Sequence, residues 1–473
     1  MTSTGGLVTQ HKTEFRPGLN VALFLFCVVL VFLLRSLWTY PTEHGDAIQK
    51  YYFAAEILKT DDWSLLLRNH HTLRWATMLP QIVLTWMLGV RYELFFILPL
   101  LLFSLYTVFS IFTLKSVFNF GQLTLLGAIL FVDPWSVSTS NQLLNPAVGF
   151  LFSFAGIVVL VSEGKLKNLA PVFAAMLFFI AYGAHVTYLS FAAGGFLWLV
   201  FFRRQWSEAF ILCGTLIVLI VLEVIIFNYL SGWQLTLGRL ELLAAGSHVD
   251  MVINNLAPVA PSRLLSRWSR LHAPELALCL VFFAFGPWLV LQKIKGGKIP
   301  AIIECTYMVG LCFAFATTFA IVSLNPAKPL MPLNPRYLVP FLPYASIIAV
   351  YAWSVLVAKV RVKNRSGKEL LANLVIVSGL LLAFWIVFQG RYQGMIWKAD
   401  KEYTAYAEKF QRGELVLTGK RRAVHSFIAL YKNPVKTIRG KSRISVVDPS
   451  PQALCVSSLD KVPLQLNYHD CEP

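Results

Sequence analysis

Long runs of apolar residues alternate with short polar connections along most of the chain. Many of these runs reach about 18 residues, the length that a helix needs to cross a hydrocarbon core of roughly 30 Å. The pattern therefore predicts an all-α polytopic membrane protein with about eleven transmembrane helices. The predicted spans are residues 21–38, 94–114, 123–139, 146–161, 169–183, 188–202, 209–230, 275–291, 301–324, 337–360 and 370–388.

The composition and the charge pattern agree with this class. Of the 473 residues, 57% are hydrophobic and only 14% are charged, while the net charge is +17. The basic residues form short clusters between apolar runs, which is typical of cytoplasmic loops and not of nucleic-acid binding. If the N-terminus is cytoplasmic, the inward connections carry Lys115, Lys165 with Lys167, Arg203 with Arg204, Lys293 with Lys295 and Lys298, and the stretch 359–368. We expect residues 21–38 to remain as a span, because no small-residue cleavage site follows them.

This topology requires that the apolar run 76–90 does not cross the bilayer. The run is short and contains Pro80, so a re-entrant or interface-lying helix is the better interpretation. Residues 39–93 then form one long outward loop, and residues 231–274 and 325–336 form two others. We assign residues 1–389 to the transmembrane domain.

The tail, residues 390–473, has the mixed charge and alternating apolar texture of a small soluble α/β domain on the periplasmic side. We predict a helix near 400–410 and strands near 414–417 and 443–447. Cys455 and Cys471 lie in this tail, where they either form a disulfide or are two unrelated thiols. The other cysteines lie in predicted spans and are interpreted as packing residues: Cys27, Cys213, Cys279, Cys305 and Cys312.

The first loop contains the densest polar cluster in the chain. Asp46 follows Gly45 and precedes a predicted helix at 47–58, and His70, His71 and Arg74 lie further along the same loop. Asp46 could be a helix N-cap alone. A carboxylate above the outer leaflet could also act as a general base on an acceptor, while a nearby cation holds a departing phosphate.

Several motifs in this loop and in a later segment resemble a known family. They are Gly45-Asp46, Tyr51-Tyr52, Glu56-Ile57-Leu58, Asp62-Trp63, Leu73-Arg74-Trp75 with Pro80, and Asn334-Pro335-Arg336-Tyr337-Leu338-Val339-Pro340 with Pro343. Their order over residues 20–360 resembles membrane glycosyltransferases of the GT-C fold, and most closely the aminoarabinose and protein O-mannosyl branches. The resemblance implies a GT-C transmembrane domain in a bacterial inner membrane.

The resemblance also implies an activity. It implies transfer of one sugar from a polyprenyl-phosphate donor to a periplasmic glycan or lipid acceptor, such as lipopolysaccharide, O-antigen or another component of the cell envelope. Asp46 matches the acidic catalytic position of the first loop, and a single displacement would invert the anomeric configuration. Membrane lipids are the expected surroundings of the donor chain.

The chain departs from the family pattern at two places. Some members carry a second acidic residue where this chain reads Leu144-Asn145-Pro146, so that carboxylate is missing. Asp133, before Pro134, could substitute, but a structural role at the end of its helix is the preferred interpretation. The lysine of the aminoarabinose branch is replaced by Met78, which puts aminoarabinose transfer in doubt.

Three cations are candidates for contact with the donor phosphate: Arg74, Lys328 and Arg336. Arg336 is preferred because a guanidinium can bind phosphate through two hydrogen bonds, although each of the three could instead anchor the chain at the interface. Candidates for other substrate contacts are His44, His70, His71, Asn145 and Tyr337. Adjacent histidines do not easily share one metal site, so we predict no metal ligands, and a divalent metal requirement stays open.

Other functions remain as alternatives. A polysaccharide polymerase or ligase would centre on the basic residues of the long loop 231–274, which are Arg263, Arg267, Arg270 and His272. A secondary transporter is less favoured, because the chain has no internal repeat and its polar residues gather at the outer surface. Glu223 lies within a predicted span and is expected to be protonated or hydrogen-bonded to the helix bundle.

Overall fold

The computed structural model describes most of the transmembrane domain. It covers residues 17–36, 45–67, 71–89, 94–133, 145–163, 167–240, 268, 271, 273–319, 321–324, 327–329 and 335–360, together with three short strands in the tail. The statements below concern these residues. For a few of them, including residues 45–49, 51–52 and 335–337, the structure describes the backbone alone.

The described chain is mostly helical. Its α-helices are α1 (Pro17–Ser36), α2 (Gly45–Thr60), α3 (Trp75–Leu88), α4 (Leu94–Leu114), α5 (Phe120–Val132), α6 (Asn145–Val161), α7 (Ala170–Ala184), α8 (Leu189–Leu197), α9 (Trp206–Leu230), α10 (Ala273–Ile294), α11 (Ala301–Phe319) and α12 (Leu342–Val360). Short 3-10 segments lie at Trp63–Leu67, Lys167–Leu169, Val186–Tyr188 and Pro335–Phe341, and Trp198–Arg203 is a π-helical continuation of α8.

Seven helical stretches within the described residues are long and apolar enough to cross a membrane. Every span that the sequence predicts up to residue 360 overlaps a helix, and seven of these ten spans overlap the seven stretches. The predicted span 370–388 lies outside the described residues. The hydrophobic pattern therefore locates the helices well, because a segment in lipid must satisfy its own backbone hydrogen bonds.

Two predicted spans end earlier than expected. The span predicted at 123–139 corresponds to α5, which ends at Val132 with its C-cap at Asp133. Residues 301–324 were expected to form one helix, but α11 ends at Phe319 and Ile321–Leu324 forms strand β1. β1 pairs antiparallel with β2 (Ala327–Pro329). The prediction was wrong here because β-branched Ile321 and Val322 precede an Asn-Pro turn sequence, which favours a hairpin over a helix.

The short helix α3 agrees with the expectation that residues 76–90 do not form an ordinary span. Its 14 residues extend only roughly 21 Å, less than the hydrocarbon thickness, and Pro80 lies inside it. Its polar residues Thr77, Gln81 and Thr85 are buried against the protein. Five of its apolar residues are exposed, as on a lipid-facing surface: Leu79, Val83, Trp86, Met87 and Leu88.

The first loop has a small hydrophobic core of its own, which joins α2, the 3-10 turn and α3. It consists of Ala54, Ile57, Leu65, Leu66, Met78 and Ile82. Met78 is fully buried in it. The position at which the family carries a lysine is therefore a packing position in this chain, which explains its apolar side chain.

The main core lies between the membrane helices and includes one very close helix contact. A Cβ atom on Gly194 of α8 would lie 2.5 Å from the Cα atom of Val309 on α11, so only glycine permits this approach. Phe191 of α8 stacks on Phe313 of α11 with ring centroids 4.8 Å apart. These contacts make the bundle a rigid support for the loops at its end.

Three short strands are described in the tail. β3 (Leu417–Gly419) pairs parallel with β4 (Leu454–Ser458), and β4 pairs antiparallel with β5 (Gln465–Asn467). The strand predicted at 414–417 overlaps β3 at Leu417, while the predicted helix 400–410 and strand 443–447 lie outside the described residues. Cys455 lies on β4 and Cys471 lies outside the described residues, so their pairing stays a prediction. The cysteines in the spans are unbridged.

Candidate functional site

Asp46 lies in the first turn of α2. The helix begins at Gly45, two residues before the predicted start, so Asp46 is its second residue rather than the residue that precedes it. A carboxylate in a first turn is favoured by the helix dipole, whose positive end lies there. The structure therefore places Asp46 inside the helix and not at the position before it.

Lys50 lies one helical turn after Asp46 and connects α2 to the membrane bundle. Its Nζ atom donates a hydrogen bond of 2.9 Å to Oδ1 of Asn145, the first residue of α6. The Lys50 side chain is fully buried. Sequence reasoning missed Lys50, although positions four residues apart on a helix share a face and Lys50 follows Asp46 at this spacing.

Asn145 therefore has a defined partner at the place where some family members carry an acid. It is 7% exposed, and its amide oxygen accepts from the Lys50 ammonium group. Burial of an ammonium group costs desolvation energy, so a hydrogen-bond partner such as this amide oxygen stabilises it.

Asp133 ends α5, as expected. Its backbone N–H donates to the Ile129 carbonyl oxygen at 3.0 Å, and the residue is buried. Arg35, at the end of α1, donates to the Phe131 carbonyl oxygen at 3.4 Å, and its guanidinium lies over the Phe131 ring. The position of Asp133 fits its structural interpretation.

Arg74 lies immediately before α3 and is partly buried. Its carbonyl oxygen accepts hydrogen bonds from the N–H of Thr77 at 2.9 Å and of Met78 at 3.1 Å. It also accepts from the Thr77 hydroxyl at 2.8 Å. The Arg74 peptide is therefore fixed by the first turn of the helix.

Glu223 is bonded within the bundle, which was the preferred expectation. Its Oε1 atom lies 3.0 Å from Nη2 of Arg239, and both side chains are almost fully buried. The indole N–H of Trp75 donates to the same carboxylate oxygen. Nothing in the sequence pattern assigned Arg239 a partner, because the pair is formed only when the residues after α9 fold back onto the helix.

The histidines of the first loop are only partly described. His71 is buried in the turn that precedes Arg74, while His44 and His70 lie outside the described residues. Thr72 in the same turn donates to the Leu66 carbonyl oxygen at 2.8 Å. Among the residues searched in the described part of the chain, no group of three or more His, Cys, Asp or Glu side chains could hold a metal ion.

The late segment places its candidates on two elements. Lys328 lies on β2, and Arg336 and Tyr337 lie in the 3-10 segment that leads into α12. Leu338 and Phe341 of that segment are fully buried and anchor it to the bundle. The loop residues of the polymerase alternative, Arg263, Arg267, Arg270 and His272, lie outside the described residues.

The elements that carry the candidates form a continuous series of contacts. α2, with Asp46, packs on α3, whose first turn follows Arg74. α3 contacts α6, which begins at Asn145, and α6 contacts the 3-10 segment that carries Arg336. These contacts connect α2, α3, α6 and the 3-10 segment within one helix bundle.

Five chains of solved structures match the protein. One is the crystal structure of ArnT from Cupriavidus metallidurans in the apo state, which is 15% identical, with a TM-score of 0.48, over 88% of this chain and 74% of that chain. No protein-family model matches the chain, and no curated protein matches it. Similarity at this level does not establish which reaction the protein catalyses.

Proposed function

We propose that the protein is a membrane glycosyltransferase that moves a single sugar from a polyprenyl-phosphate donor to an acceptor at the periplasmic face of an inner membrane. The observation that carries this proposal is the contact between Lys50 and Asn145, which holds the helix bearing Asp46 against the membrane bundle. A helix that carries a carboxylate and packs on the membrane bundle suits a lipid-linked donor, because the reactive phosphate of such a donor lies at the membrane surface while its chain remains in lipid.

The reaction is a single displacement at the anomeric carbon. Asp46 accepts the proton of the acceptor hydroxyl or amine as the new bond to the anomeric carbon forms. The bond between that carbon and the phosphate oxygen breaks, and the polyprenyl phosphate leaves with the electron pair. One displacement inverts the anomeric configuration relative to the donor.

The leaving phosphate needs positive charge. Arg336 supplies a guanidinium suited to two hydrogen bonds, and Arg74 or Lys328 supplies the second cation. Arg74 is supported by its fixed position before α3. Lys50, one turn from Asp46, is a buried basic side chain at the contact between α2 and α6.

The acceptor in this proposal is a component of the cell envelope, such as lipopolysaccharide or O-antigen. With the N-terminus in the cytoplasm, the first loop and the tail both lie in the periplasm. The tail, residues 390–473, is then placed to contact the acceptor. This assignment of two domains follows from the sequence pattern and the orientation.

The proposal is tested by transfer from a panel of radiolabelled polyprenyl-phosphate sugars to a crude envelope acceptor by the purified full-length protein. We expect transfer from one donor, and loss of transfer in the Asp46→Asn variant. Asp61→Asn is the matched control, since Asp61 is exposed in the same loop and adopts a left-handed backbone (φ 52°) that Asn tolerates. Failure of every single-sugar donor would overturn the proposal in favour of a polymerase or ligase.

A further inference from the structure

Arg74 lies between two residues that are held by one buried ion pair. The preceding residue, Leu73, accepts a hydrogen bond of 3.4 Å at its carbonyl oxygen from Nη1 of Arg239. The following residue, Trp75, donates its indole N–H to Glu223. Glu223 and Arg239 pair with each other at 3.0 Å. The backbone on both sides of Arg74 is thus fastened to the same two side chains.

The ion pair is itself tightly enclosed by α7. The Arg239 guanidinium lies 4.4 Å from the centre of the Tyr182 ring and donates to the carbonyl oxygens of Tyr182 at 3.3 Å and Gly183 at 3.2 Å. Gly183 also makes room for the loop, because a Cβ atom there would lie 2.3 Å from the Trp75 ring. The pair has little freedom to move.

A buried ion pair in a membrane protein is expensive, because both charges lose their hydration. If the two residues served only to fill space between the helices, apolar side chains at positions 223 and 239 would do so equally well. Besides the bonds to α7, each of the two charged side chains makes one hydrogen bond to the first loop, 148 and 166 residues earlier in the chain, on either side of Arg74. A cation that is held in place before its ligand arrives loses less conformational entropy on binding.

We propose that Glu223 and Arg239 are positioning residues that hold Arg74 in the geometry required to bind the phosphate of the polyprenyl-phosphate donor. This inference rests on the proposed function, since it assigns Arg74 to that phosphate. Trp75 and Gly183 take part in the same arrangement. Trp75 donates the hydrogen bond to Glu223, and Gly183 has no side chain that would clash with the indole ring.

The test measures the affinity of the purified full-length protein for polyprenyl phosphate and for phosphate-free polyprenol of the same chain length. Trp75→Phe is the main variant, because it keeps an aromatic ring against Gly183 and removes only the N–H donor. Glu223→Gln is the second. Glu304→Gln is the matched control: Glu304 is a buried acid that accepts a 2.8 Å hydrogen bond from Lys293, and it lies in a different ion pair.

We expect Trp75→Phe and Glu223→Gln to weaken binding of polyprenyl phosphate roughly tenfold, because Arg74 is then no longer held in position to contact the phosphate. Binding of polyprenol should be unchanged. Glu304→Gln should change neither affinity. In an Arg74→Ala background, Trp75→Phe should cause no further loss, because the two changes act through the same contact.

Two other results have different meanings. If Arg74→Ala weakens phosphate binding but Trp75→Phe does not, or if Trp75→Phe weakens polyprenol binding equally, the positioning role is overturned and the proposed function stands. If the unaltered protein binds polyprenyl phosphate no better than polyprenol, the proposed function itself fails. A thermal unfolding curve shows whether the Glu223→Gln protein is folded. If it is not, the result for Trp75→Phe alone tests the positioning role.

Discussion

The Lys50 ammonium group lies 2.9 Å from the amide oxygen of Asn145, across 95 residues of sequence. This contact joins the helix that carries Asp46 to the first residue of a membrane helix. It also buries a basic side chain one turn after Asp46. The contact is therefore both an anchor for the first loop and a contribution to the charge of the site.

Replacing Lys50 tests both roles. We expect Lys50→Met to lower sugar transfer by about tenfold or more, corresponding to about 1.4 kcal/mol, because the anchor and the charge are lost together. Asn145→Asp should retain most activity, since a carboxylate still accepts from Lys50. Transfer rates and thermal unfolding of both variants provide the measurement. Wild-type transfer and stability in Lys50→Met would show that the contact has neither role.

Arg336 is predicted to act on both binding and turnover. We expect Arg336→Ala to weaken the affinity for the donor and to slow transfer, because a phosphate contact strengthens as charge develops on the leaving group. Arg336→Lys should recover part of the loss, since it restores the charge but not the paired hydrogen bonds. Steady-state kinetics over a range of donor concentrations separates the two effects. Unchanged kinetics in Arg336→Ala would leave Arg336 as an interfacial anchor.

Met78 is predicted to be a structural residue. Because it is fully buried in the small core of the first loop, Met78→Lys should lower the free energy of unfolding by about 3 kcal/mol or more. Thr60→Lys, at an exposed position at the end of α2, should change it by only about 0.5 kcal/mol. Unfolding in detergent measures both. A stable Met78→Lys protein would show that a lysine at this position reaches the site instead of the core.

Gly183 is predicted to be required for the position of Trp75. Gly183→Ala should destabilise the protein by about 1–3 kcal/mol, because the new methyl group displaces the indole ring. Gly214→Ala, in α9, meets no atom within 4 Å and should be neutral or stabilising. Thermal unfolding with tryptophan fluorescence compares the two variants. Equal stability of the two variants would mean that the ring moves without cost.

The positions of the membrane helices could be predicted from the sequence, but the contacts between them could not. Apolar runs locate the spans because each membrane helix closes its hydrogen bonds locally. The end of α11 at Phe319 was missed because a hairpin pattern follows an apolar helix without a polar break. Local sequence therefore defines elements more reliably than their ends.

The contacts of the site were beyond prediction from the pattern. Glu223 was expected to bond within the bundle, but its partners Arg239 and Trp75 are fixed by how three separate segments pack. Lys50 reads in the sequence as an ordinary helix-surface lysine, and only the packing of α2 on the bundle buries it. Contacts between residues far apart in the chain produce no repeating pattern in the local sequence, so pattern analysis does not detect them.

The central claim is that Asp46 is the base in a single transfer from a polyprenyl-phosphate sugar. The most direct measurement is the transfer rate of purified Asp46→Asn at saturating donor, together with its affinity for polyprenyl phosphate and with Asp61→Asn as the control. The account predicts a fall of about a hundredfold or more in rate, with donor affinity and the control almost unchanged. Transfer by Asp46→Asn at the wild-type rate would contradict it.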